Sequence, residues 1–370
     1  MTTILNTEEH LAAEAWEKRN TPSGETLAKA VEASKLFNEG LSGRNPFKQA
    51  MLKEALTRAD FNIYLGKAFD VEMLAKYEDL QPEWRQLATP STVKDFKAKT
   101  FKELFGGRGA FDKVAEGEEY KERSKDQAEY PLTAEKYGNT FKLTFELIKN
   151  DELGELKNLP DDLAQGAVAT EDKVAFAAFV SSTGPNTAFF KAGNGNAPTA
   201  LPLTRANVQA AYVAISKRKD KNGNPVRIAS AKLILAVPAA LLFEAEQIVN
   251  TPTIPNPEGG AGMIPNPLAG KFQVVISDWL TIINTSNKAD TTWYILPAPT
   301  SARPALVVAK MRGEENPDIR VKADQGSRLG GGSIAAEEGS FDDDTITYRG
   351  RHIVGAGTLD PLLTYASTGS

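Results

Sequence analysis

An α+β fold is predicted for this chain, and three observations predict it. The run KYGNTFKLTFEL, residues 136–147, alternates with a period of two, the signature of a half-buried strand. Within a few residues it gives way to PDDLAQGAVATEDKVAFAAF, a long alanine-rich stretch with helical spacing. The second half of the chain then carries a series of short apolar runs suited to strands, FQVVISDWL, TWYILPA, ALVVAKMR, DIRVKAD and TITYRGRHIVGAGTLD, set among helical segments.

The elements follow in order. Residues 1 to about 90 read as helices joined by turns, for example NPFKQAMLKEALTRADFNIYLGKAF with apolar residues three or four apart. Short helices draw their stability from tertiary packing, so this segment is expected to lie as an arm on another surface. Residues 91–148 hold two alternating runs, STVKDFKAKTFKELF and NTFKLTFEL, separated by a long polar stretch. In the second run Phe141, Leu143, Phe145 and Leu147 share one face. Two strands alone are marginal in water, so this extension is expected to pack on another surface, that of a neighbouring chain.

A long helix is expected from Pro160 to about residue 182, with Pro160 at its first position and Asp161 and Asp162 complementing the positive end of its dipole. Thr204 is expected to cap the helix TRANVQAAYVAISKRK. VRIASAKLILAV reads as a buried strand leading into the helix PAALLFEAEQIV. The stretch TIPNPEGGAGMIPNPLAGK repeats Ile-Pro-Asn-Pro around a glycine-rich centre, stiff arms with a soft tip that suit a contact loop.

Composition excludes several classes. With 370 residues, 41% hydrophobic, 25% charged and a net charge of −5, the chain reads as globular rather than disordered. It holds no apolar run of bilayer length and no basic-then-apolar secretory start, so no membrane partner is expected. The absence of cysteine removes disulfides, thiolate catalysis and cysteine zinc sites. Of the two histidines, His10 lies in a charged helical segment and His352 in a strand, and neither has the partners of a catalytic triad. LGGGSIAAEEG departs from a nucleophile elbow, and GGRGAFDK lacks the ending of a phosphate loop. Asp342, Asp343 and Asp344 would point alternately on an extended chain and are not expected to converge on a metal without a special loop. Lys217, Arg218, Lys219 and Lys221 fall at a helix C-terminus, where positive charge is favoured in any case. No catalytic, cofactor-binding or metal-binding residue is therefore assigned, and the region 313–370, with 10 acidic and 5 basic residues, is not expected to bind nucleic acid tightly.

Taken as a set, LAKYEDLQPEWRQLATPSTVKDFKAKTFKELFGG, VAEGEEYKE, KYGNTFKLTFELIKNDELGELKNLPDDLAQGAVATEDK and TGPNTAFF resemble the major capsid proteins of tailed bacteriophages, of the type found in actinobacterial phages. The resemblance covers about residues 62–250. It implies a Hong Kong 97-like fold with an N-terminal arm at 1–90 and an extended E-loop at 91–148. A peripheral domain with a spine helix would lie at 149–200 and about 305–350, and an axial domain at 201–304 and about 351–370. It implies self-assembly through pentamers and hexamers into an icosahedral virion shell around packaged double-stranded DNA, assembled in the host cytoplasm with scaffold, portal and decoration proteins as partners, and no catalysis. An encapsulin-like nanocompartment shell is the alternative sharing that fold.

Candidate inter-subunit contacts are Phe96, Phe101, Phe105, Arg108, Phe111, Tyr120 and, on the returning strand, Phe141 and Phe145, together with Ile254 and Ile264 of the Ile-Pro-Asn-Pro loop. Some family members weld their shells by a lysine to asparagine bond. Here Lys113, Lys121 and Lys125 are present, but the last asparagine is Asn316, so no cross-link is expected. An uncleaved chain is expected as well.

Overall fold

The computed structural model describes residues 73–105, 126–143, 154–220, 223, 225–228, 231–255, 262–322 and 345–369, with scattered positions between 29 and 55. Two compact units divide the chain. The first comprises Met1–Gln81, Lys136–Ala169 and Met311–Ile353, the second Pro82–Glu135, Thr170–Lys310 and Val354–Ser370.

Helical residues 73–79 (α1) are followed by a 3-10 turn at Glu83–Gln86 and strand β1, Thr89–Val93. Next come β2 (Lys99–Phe105), β3 (Asp126–Leu132), β4 (Glu135–Leu143) and the long helix α2 (Gly154–Ala177). Two expectations are corrected here. The strand that returns beside β2 is β3, with Phe101 opposite Tyr130, whereas the alternating run at 136–147 supplies β4, which pairs with a strand near the C-terminus. Asp95 ends the first run early, because its carboxylate accepts from the Lys97 amide and closes a turn. Helix α2 also begins at Gly154, six residues before Pro160. Proline within a helix removes one backbone hydrogen bond but does not fix where the helix starts, and Glu155, Leu156 and Leu159 ahead of it are good helix formers.

In the second unit the order continues with short β5 (Val180–Ser181) and β6 (Gly184–Pro185), then α3 (Arg205–Ser216), β7 (Leu233–Val237) and α4 (Leu242–Asn250). After them come β8 (Thr253–Pro255), β9 (Met263–Pro265), β10 (Phe272–Ile276), α5 (Trp279–Ile283) and β11 (Trp293–Pro297). The chain closes with β12 (Leu306–Met311), β13 (Asp318–Val321), β14 (Ile346–Thr358) and β15 (Tyr365–Ser367). The second unit's main sheet has the order β10-β7-β11-β15, with β10 and β7 parallel and β11 antiparallel to both its neighbours.

Every residue of β7 and β11 is buried, because both faces of this sheet are covered. Val208, Ala211 and Ile215 of α3 and Ala245, Ile248 and Val249 of α4 join Leu233, Leu235, Val237, Trp293 and Ile295 in one core. The alternate residue Tyr294 meets the rings of Phe179 and Phe190, with centroids 5.3 and 5.8 Å away. Thr204 caps α3 as expected, accepting from the Asn207 amide at 3.3 Å. In the same unit β12 pairs with the last residues of β14, and a side chain at Gly355 would strike the Thr133 carbonyl, so only glycine fits.

Candidate functional site

In the second unit the far half of α2 carries a buried acidic pair inside its apolar stripe. Glu171, with no exposed surface, accepts from the Trp84 indole N–H at 2.8 Å and pairs with the Lys310 ammonium at 2.9 Å. Asp172 accepts from the Trp84 backbone amide at 2.9 Å. Burial pushes the Asp172 carboxyl up to about 6, against the lowering effect of backbone hydrogen bonds from Trp84 and Glu83. The group ties the turn before β1 and strand β12 to the helix. Joining three elements through buried hydrogen bonds and an ion pair, it acts as a structural clamp. Sequence reading missed it; the signal available was the Glu-Asp pair within ATEDKVAFAAF, two acids where the helical spacing calls for apolar residues.

The basic cluster at the end of α3 is partly structural too. The Arg218 guanidinium donates to the Leu362 and Thr364 carbonyls at 3.0 and 2.6 Å. It lines a cavity of about 470 Å³ with Tyr130, Asn194, Asp220 and Asp360, whose two carboxylates are bridged by Arg303. Among the described residues no group of three or more His, Cys, Asp or Glu side chains is placed to hold a metal ion, and no helix is long and apolar enough to cross a membrane.

The first unit presents a two-faced ladder. Strand β13 pairs antiparallel with β14, setting Asp318 opposite Arg351, Ile319 opposite Gly350, Arg320 opposite Arg349 and Val321 opposite Tyr348. One face packs on helices: Ile319 joins Met73, Tyr77, Ala164 and Ala167 of α1 and α2, and His352 lies edge-on to Tyr77 at 5.9 Å. A Cβ added at Gly350 would sit 3.0 Å from Leu163, so this glycine permits the helix to approach. The other face carries Asp318, Arg320, Arg349 and Arg351. Arg320 pairs with Asp318 at 2.6 Å, while Arg351 pairs with Asp318 at 3.2 Å and with Glu314.

Six of the ten candidate contact residues fall among the described residues. Arg108, Phe111, Tyr120 and Phe145 lie outside the described residues, as do His10, the acidic run 342–344 and the glycine-rich motifs at 106–113 and 329–339. Phe101 and Phe105 sit on β2, opposite Tyr130 and Asp126. Phe96 is half-exposed, between β1 and β2. Phe141, in β4, stacks on Tyr348 within its own chain, centroids 5.6 Å apart and 9° from parallel. The Ile-Pro-Asn-Pro repeat supplies the two arms of the β8–β9 hairpin, where Ile254 opposes Ile264. Ile254 is buried there, and the exposed apolar residue is its neighbour's partner Met263, which the alternation Met-Ile-Pro would have identified.

Comparison with known proteins decides what these surfaces belong to. A family described as phage capsid protein matches residues 128–366. The chain belongs to the phage capsid protein family. The capsid protein is thus a structural subunit that assembles with its own copies into the shell of a virion. Among curated proteins none matches significantly. Solved structures similar to it include one from Gordonia phage Cozz, 13% identical over 77% of this chain and 85% of that one, with a TM-score of 0.44. Another, from Mycobacterium phage Ogopogo, is 13% identical over 79% and 93%, TM-score 0.41. The capsid of cyanophage P-SCSP1u is 15% identical over 78% and 88%, TM-score 0.40. At these values the family match, not the structural likeness, decides membership. The matched family is one of phage capsids rather than nanocompartment shells.

Proposed function

We propose that this capsid protein is the major head subunit of a tailed phage, built on a Hong Kong 97-like plan and closing as pentamers and hexamers into an icosahedral shell around packaged double-stranded DNA. The family match over residues 128–366 carries the reading. Its support in the fold is that β2 and β3 pair only with each other among the described residues, a two-stranded ribbon that needs a further surface to be stable. That ribbon is the E-loop, narrowed from 91–148 to the span from β2 to β3. Helix α2 is the spine helix, the peripheral domain takes 149–200 and about 305–350, and the axial domain takes 201–304 and about 351–370. The subunit acts without catalysis and without a covalent weld, and scaffold, portal and decoration proteins are its other partners.

The test is electron microscopy of the expressed chain and of infected cells. Closed isometric shells containing this chain, filled with DNA in mature particles, are expected. A chain that stays monomeric under every condition, infected cells included, overturns the reading. Denaturing gels of such shells are expected to show single subunits, not a ladder of ligated ones.

A further inference from the structure

The cavity at the end of α3, within the second unit, is lined by a guanidinium that is only half engaged. Nη1 of Arg218 is committed, donating to the Leu362 and Thr364 carbonyls. Nε and Nη2 have no partner among the described residues, and neither nitrogen is fully buried, so both stay within reach of a ligand. No carboxylate pairs with this group among the described residues. Burial accordingly lowers its hold on the proton, the mark of a cation short of a counter-charge. Asp220 and Asp360, on the same lining, are bridged by Arg303 instead. Lys219, exposed and without an ion-pair partner among the described residues, adds a second cation. Tyr130, Pro361 and Leu362 are also on the lining, so an apolar body has surfaces to meet.

We propose that this cavity binds a carboxylate carried on an apolar body, the free C-terminus of a partner peptide that ends in an apolar residue. Nε–H and Nη2–H lie along one edge of the planar guanidinium, the fork that takes both oxygens of a single carboxylate. The Lys219 ammonium adds charge without a directional demand. A volume of about 470 Å³ falls within the usual range of ligand pockets, roughly 300–1,000 Å³, and exceeds what a lone carboxylate fills. The last residue of the peptide therefore enters with its side chain. Capture of a chain end by its charge is a recurring mode of peptide recognition. One carboxylate suits the site better than a phosphate dianion, because Asp220 and Asp360 stand on the same lining and repel the larger charge more. That the partner is another protein of the particle rests on the capsid reading above, whereas the binding itself needs no shell.

Calorimetric titration of the full chain tests the site. The probe is N-acetyl-Ala-Ala-Leu with a free carboxylate, set against the same peptide amidated at its C-terminus, isovalerate and inorganic phosphate. The free-acid peptide is expected to bind, and the other three to bind at least about tenfold more weakly. Arg218→Lys, which keeps the charge and loses the fork, is expected to lower the peptide's affinity about tenfold. Because Arg218 also holds two backbone carbonyls, a second variant separates binding from folding. A Cβ at Gly193, on the cavity lining, would meet no atom within 4 Å, so Gly193→Leu is expected to keep the parent's Tm while blocking the peptide. Equal binding of acid and amide, parent affinity in Gly193→Leu, or no binding at millimolar peptide overturns the proposal. So does isovalerate or phosphate that binds as tightly as the peptide, which would assign the cavity to a small anion. Absence of shells from the wild-type chain strikes instead at the capsid-assembly reading.

Discussion

Glu171 is the side chain on which the buried polar group of the second unit depends, since it satisfies both the Trp84 indole and the Lys310 ammonium. Removing one partner of a buried ion pair leaves an uncompensated charge, so Glu171→Ala is expected to cost about 3 kcal/mol in urea unfolding of the subunit. Asp172 beside it behaves differently. Its carboxyl is raised from 3.8 to about 6, so the folded chain holds a proton that the unfolded chain has released across that window. Its contribution is full below pH 3.8 and lost as pH rises through about 6. Asp172→Asn, which keeps an oxygen for the Trp84 amide, is expected to flatten the stability profile over that range; a profile identical to the parent's would rule this out. Tyr294 offers a third case. Its hydroxyl is buried with no hydrogen-bond partner among the described residues, and burial alone holds its ionisation far above the usual range. Tyr294→Phe is expected to keep the contacts with Phe179 and Phe190 and to raise stability by about 1 kcal/mol, read as a higher Tm.

Elements were legible in proportion to how local their signals are. The buried strands β7 and β11, the Thr204 cap and the thirteen-residue strand β14 follow from apolar runs and a capping residue that act within a few positions. Thr204→Ala is accordingly expected to cost about 1 kcal/mol, measured by denaturation of the subunit. The pairing of strands was not legible. The run at 136–147 alternates as cleanly as a returning hairpin strand would, but which edge it meets depends on residues more than 200 positions away in β14. Glycine shows the same limit. Gly355 sits in an ordinary strand sequence, yet a methyl group there would lie 2.8 Å from the Ala134 Cα and closer still to the Thr133 carbonyl, both of them backbone atoms. Gly355→Ala is expected to prevent accumulation of folded subunit, and a soluble variant with the parent's Tm would contradict that close approach.

At the scale of the whole molecule, exposed apolar surface is where assembly is read. Phe243 of α4 is 80% exposed and Met263 of β9 61% exposed, positions that the sequence-based contact set did not contain. A capsid subunit covers such side chains with its neighbours, so Phe243→Asp is expected to spare the subunit's Tm and to reduce shell yield; a loss of Tm equal to the loss of assembly would argue for an internal role. By itself the sequence determined the fold class, most strand and helix identities and, through the resemblance of its phrases, the capsid family, because these rest on periodicity and short-range chemistry written along the chain. The tertiary structure alone decided that β3 and not β4 returns beside β2, that Ile254 turns inward while Met263 turns outward, and that Arg320 and Arg349 of the acid-rich segment 313–370 stand opposite each other in the β13–β14 ladder. The reason is geometric. A composition averages over both faces of a strand and over every loop, whereas pairing places Arg320 beside Arg349 and sends Ile319 and Tyr348 to the other side.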